Sequence, residues 1–127
     1  MSQQVDTGTR RFVAGEAIPQ FSVVTYVNTG KVLMCDLTDQ PIGVAQQEAF
    51  ADGDPITVKL FNAPGTFKVR ANEACAIDAV LYTEAGGYVQ DTAQATSLPV
   101  GIALEAAGAQ NDIIEMLPLH YGGLVAT

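Results

Sequence analysis

The chain has 127 residues and a mass of 13.3 kDa, room for one domain with its own core and too little for two of usual size. Hydrophobic residues make up 48% but aromatics only 7%, with no tryptophan, so many small side chains must fill that core; charged residues are 16%, and no stretch approaches the ~20 apolar residues of a membrane span. The net charge of −8 is uneven: all six basic residues (Arg10, Arg11, Lys31, Lys59, Lys68, Arg70) lie within 1–70 beside seven acids, while residues 71–127 carry seven acids and no Lys or Arg, which sets nucleic acid aside as a partner.

The first segment, MSQQVDTGTRRF, has no apolar run that could serve as a signal peptide, and the chain is expected to be used without Sec export. It reads as an N-terminal arm over 1–14, with Arg10 and Arg11 for bidentate pairing and Phe12 as an apolar anchor on an acidic partner surface. A β-domain is expected over 15–118 and a tail over 119–127. Within the domain the apolar residues come in short runs bounded by Gly, Pro, Asn or Asp: FSVVTYV, KVLM, PIGVA, PITVKL, GTFKV, AVLY, GYV, PVGIA and NDIIEML. Runs of that length, rich in β-branched residues and broken by turn chemistry, predict an all-β fold. Gly86-Gly87 predicts a hairpin turn between AVLYTE and YVQ. Helix is expected for one or two turns at most, at Glu105–Gln110 or at 46–51.

Two halves of the chain resemble one another. At an offset of 57, Glu16-Ala17 falls on Glu73-Ala74, Val23-Val24 on Val80-Leu81, and Gly30-Lys31-Val32 on Gly87-Tyr88-Val89. At 58, Pro41-Ile42-Gly43-Val44-Ala45 falls on Pro99-Val100-Gly101-Ile102-Ala103, Asp54 on Asp112 and Ile56 on Ile114. The expectation is a compact barrel-like fold from two pseudo-repeated β-units, about 16–60 and 73–118, with 61–72 as a strand-bearing bridge.

Catalytic chemistry finds no foothold. His120 is the single histidine, in a Leu-His-Tyr-Gly-Gly tail, so no Ser/His/Asp or Cys/His set can be assembled. Cys35 and Cys75 lack the close spacing of a zinc site and read as buried, reduced thiols. Asp36 and Asp39, and Asp52 and Asp54, lack the alternating oxygen-ligand loop with a closing Glu that calcium takes, and there is no phosphate-cradling glycine motif. No catalytic residue, metal or cofactor is expected. A chain so apolar and so low in charge is expected to spend its surface on protein contacts, as a homo-oligomer or a scaffold-bound subunit.

The run Phe12–Ile18, then Val23-Val24, Gly30–Val32, Pro41–Ala45, Ala74–Tyr82 and Pro99–Ala107 resembles the capsid cement, or head decoration, proteins of tailed bacteriophages over about residues 12–118, and more distantly the head decoration protein of bacteriophage lambda. The resemblance implies a β-barrel or β-tulip fold and a structural protein with no enzymatic activity. It implies a place on the outer surface of the expanded virion capsid after synthesis in the host cytoplasm. The implied partners are the major capsid protein and other copies of the chain, a homotrimer or else a dimer, with neither nucleic acid nor membrane involved. Arg10, Arg11 and Phe12 are then the capsid-contact candidates.

Two other readings fit the size. A phage adhesion or head-fibre base domain would use the 46–54 loop, where Phe50 projects among polar residues. A small trimeric β-fold nucleotide hydrolase would need phosphate-binding motifs and a metal-binding acid that the sequence lacks.

Overall fold

The computed structural model describes residues 8–94 and 97–118. Among these are ten strands: β1 (Thr9–Ala14), β2 (Val23–Tyr26), β3 (Lys31–Met34), β4 (Pro41–Ala45), β5 (Pro55–Leu60), β6 (Phe67–Arg70), β7 (Val80–Glu84), β8 (Tyr88–Gln90), β9 (Pro99–Ala103) and β10 (Ile113–Pro118). The all-β expectation is met. The helical content among the described residues is one 3₁₀ turn, Ala85–Gly87, in the β7–β8 hairpin where the paired glycines take φ of 79° and 75°. Glu105–Gln110 forms no helix, because Ala107 pairs with Cys75 across an antiparallel bridge and the Asp112 carboxylate accepts from the N–H groups of Gly108 and Ala109. The 46–51 segment is likewise held by an Ile18–Ala49 bridge.

The first five strands close into a barrel in the order β1-β3-β2-β4-β5, with β1 parallel to β3 and antiparallel to β5. The last five form a sheet in the order β6-β10-β9-β7-β8. Each neighbour of the first set recurs in the second, position for position. Ala14 faces Val32 and Ala71 faces Val89, in parallel each time. The Ile18–Ala49 bridge matches Cys75–Ala107, and the register slip at Val24/Thr25 matches that at Leu81/Tyr82. Phe21 and Asp78 both take positive φ, at 66° and 72°. The chain is therefore two copies of one five-stranded unit, in which β6 is the counterpart of β1. The expected bridge of 61–72 thus contains the opening strand of the second unit. The expected arm likewise ends earlier than position 14: from Thr9 onward it is a barrel strand, held by pairs from Thr9–Lys59 to Val13–Pro55. The rest of that arm, residues 1–7, lies outside the described residues, as do the 119–127 tail, His120 and the Gly122-Gly123 pair.

Two apolar clusters result. One fills the closed barrel, with Phe12, Ala14, Ile18, Val24, Val32, Ala45, Ile56 and Val58 among its members. The larger one fills the second unit (Val69, Leu81, Val89, Ile114, Met116) and runs on through Val23, Val44, Cys35 and Ala63 of the first. Val23 and Val44 are adjacent across β2 and β4 and fully buried, so the outer face of the first barrel at β2 and β4 is covered by the second unit. Shared burial of this kind explains how units too small to close a stable core separately hold together.

Candidate functional site

Alternation along β1 sorts the expected contact residues. Phe12 and Ala14 point into the barrel, while Arg11 and Val13 face outward. Phe12 is only 8% exposed; its ring packs against Tyr26 with centroids 5.6 Å apart, and the Arg10 guanidinium lies 4.5 Å over its face. Phe12 is therefore a core residue and its ring is not an available anchor. The fully apolar interior of the barrel outweighs its place in a basic leader. Arg10 and Arg11 do share a surface: with Phe12, Val13, Gly30 and Pro55 they line a depression of about 360 Å³. Val13 and Tyr26, missed in the sequence, add exposed apolar area on this side, at 42% and 49% exposure.

Phe50 stands apart in the β4–β5 loop, 76% exposed. Its backbone is fixed although its ring is not covered: the Phe50 and Ala51 N–H groups donate to the Asp54 carboxylate at 2.9 and 3.1 Å. The matching loop of the second unit uses Asp112 in the same way but carries Gly108 where Phe50 stands.

The acids considered for calcium are occupied in turns and a surface pair. Asp39 accepts from the Asp36 N–H at 3.1 Å, Asp36 from the Leu37 N–H at 2.7 Å, and Asp52 pairs with Lys31 at 2.8 Å. Cys35 and Cys75 are free and buried. Burial, then Asp39 and Asp36, push the Cys35 thiol up to about 12; burial, then Asp91 and Glu73, push Cys75 up to about 11, partly countered by a hydrogen bond with Asp91. Both stay protonated near neutrality and offer no thiolate nucleophile. Of the contact candidates, Arg10 and Arg11 line the β1 depression and Phe50 stands exposed in its loop.

Such an arrangement defines a class first: an all-β module of two tandem five-stranded units. The fold is similar to that in the crystal structure of the head fibre gp8.5 N base of bacteriophage phi29, at TM-score 0.71 and 16% identity over 87% of this chain and 92% of that one. No curated protein matches the sequence. The phage cement protein family model matches residues 3–118, and the chain belongs to that family, a family of phage structural proteins.

Proposed function

We propose that the protein cements the phage head, binding the outer surface of the expanded capsid and bridging neighbouring copies of the major capsid protein without catalytic turnover. Membership of the cement family over residues 3–118 carries this reading. The contacts assigned to it are Arg10 and Arg11 at the β1 surface and Phe50 at the loop, each modest alone. A homotrimer engaging several capsid subunits at once multiplies such contacts through effective concentration, and selective binding to the expanded shell stabilises that state by mass action.

Co-sedimentation with expanded capsids stripped of decoration tests it. Saturation at a fixed ratio to the major capsid protein is expected, and absence of saturable binding to expanded shells overturns it. The likeness to the phi29 head-fibre base favours one second reading, a base that seats a fibre on the head. That reading requires a fibre-forming polypeptide in the same complex on the shell, which mass spectrometry of decorated particles would detect.

A further inference from the structure

The Cys75–Ala107 bridge closes one end of the second unit. Beside it the Asp78 N–H donates to the Ala103 carbonyl at 2.8 Å and the Ala76 N–H to the Asp91 carboxylate at 3.4 Å, so segments 73–78 and 104–107 lie against each other there. Each segment turns a large apolar side chain to solvent: Ile77 is 63% exposed and Leu104 38%. Their counterparts in the first unit, set by the matching Ile18–Ala49 bridge, are Gln20 and Gln46, and there the Gln20 amide donates to the Gln46 carbonyl at 3.1 Å. One backbone thus carries a polar pair satisfied within the chain in one unit and an open apolar pair in the other. Since glutamines build the same end, folding does not require Ile77 and Leu104 to be apolar.

Charge at this end is equally one-sided. Glu73, Asp78 and Glu105 are exposed on the same two segments, Glu105 spending one oxygen on the Glu115 N–H. The one ion pair among the described residues, Lys31–Asp52, lies in the first unit. Residues 1–7, 95–96 and 119–127 hold no Lys or Arg, so the cations that would answer these carboxylates are not in the rest of the chain. A second copy has few to offer, since Lys31 is paired with Asp52, Lys59 is bonded to the Thr66 carbonyl and Arg70 is buried against Tyr88.

We infer that this end of the second unit docks on the major capsid protein, at a patch with an apolar hollow for Ile77 and Leu104 and with Lys or Arg around its rim. The inference rests on the cement reading and adds to it a contact face in the acidic half. Removing the two apolar side chains from water supplies affinity, while the carboxylates pair at the rim and set approach and orientation. Phe50 stands one residue past Ala49, at the corresponding end of the first unit, so both units turn an apolar side chain outward there.

Binding of variants to expanded capsids stripped of decoration tests it, with the wild type as reference. Ile77→Ser and Leu104→Ser are each expected to weaken binding about tenfold, with circular dichroism and thermal unfolding unchanged. Glu73→Gln should weaken it less than Glu73→Lys, and wild-type binding should fall as NaCl rises from about 50 to about 500 mM. A wild type that saturates no expanded shell overturns the cement reading and this inference with it, whereas a wild type that binds no better than the serine variants overturns this inference alone. Tighter binding by Glu73→Lys overturns it too, because the partner patch would then be acidic. A free Ile77→Ser protein of smaller oligomeric size than the wild type in light scattering would make the face a contact between copies, which also overturns it. Should the serine variants fold poorly, Ile77→Cys bearing an environment-sensitive fluorophore replaces them, since Cys35 and Cys75 are buried. Its emission should shift to the blue on the shell, and an unchanged spectrum on shells it decorates overturns the inference.

Discussion

Gly43 and Gly101 occupy the same point in the two units, each pressed against a backbone carbonyl of the neighbouring strand: a Cβ on Gly43 would fall 2.3 Å from the Lys59 oxygen and one on Gly101 2.5 Å from that of Leu117. Neither glycine is needed for a left-handed backbone, since neither takes positive φ. Their role is close approach of β4 to β5 and of β9 to β10. Gly43→Ala and Gly101→Ala are therefore expected to lower unfolding free energy by about 2–3 kcal/mol each. Urea unfolding measures this, and a loss below about 0.5 kcal/mol at both sites would refute the packing argument.

Asp54 and Asp112 perform one task twice, each accepting two backbone N–H groups in the loop before the last strand of its unit. Replacement of either by Ala should cost about 1–2 kcal/mol, and replacement by Asn, which keeps an acceptor oxygen, roughly half that. Thermal unfolding of the four variants checks the parity between loops.

Phe12 and Phe50 separate the core from the contact surface. Phe12→Ala empties a ring site in the barrel and should cost about 3–4 kcal/mol. Phe50→Ala should leave stability within about 0.5 kcal/mol and instead reduce retention on expanded capsids in co-sedimentation. A destabilised Phe50→Ala protein would argue against the ring as a partner contact.

The thiols make stability fall at alkaline pH. Folded Cys35 and Cys75 hold their protons to about 12 and about 11, above the ordinary 9.0, so the folded chain binds more protons than the unfolded one in between. Their stabilising contribution is complete below about pH 9 and declines as pH rises through the folded values. Urea unfolding at about pH 8 and about pH 10.5 should show a larger drop for the wild type than for the Cys35→Ala, Cys75→Ala double variant. Equal drops would contradict it.

Sequence and tertiary structure divide the information along physical lines. The all-β class and the glycine hairpin were legible because each is enforced locally, by side-chain shape or by a turn's backbone, and the paired Pro-apolar-Gly-apolar-Ala segments because a carbonyl of the neighbouring strand leaves no room for a Cβ at either glycine. The match of β1 to β6 was not legible. Val13 meets solvent where Arg70 meets Ser22 of the other unit, so equivalent backbone positions carry unlike residues. Phe12 misled for a related reason, since its neighbours are basic but its strand alternates and the ring turns inward. Glu105–Gln110 has helical composition, yet an isolated bridge from Ala107 to Cys75, a residue distant in sequence, keeps it from winding into a helix. Which apolar side chains stay uncovered depended on how the second unit sits on the first, a relation between surfaces far apart along the chain. Tertiary packing alone therefore decided that Val23 and Val44 are core while Val80 and Leu117 are surface.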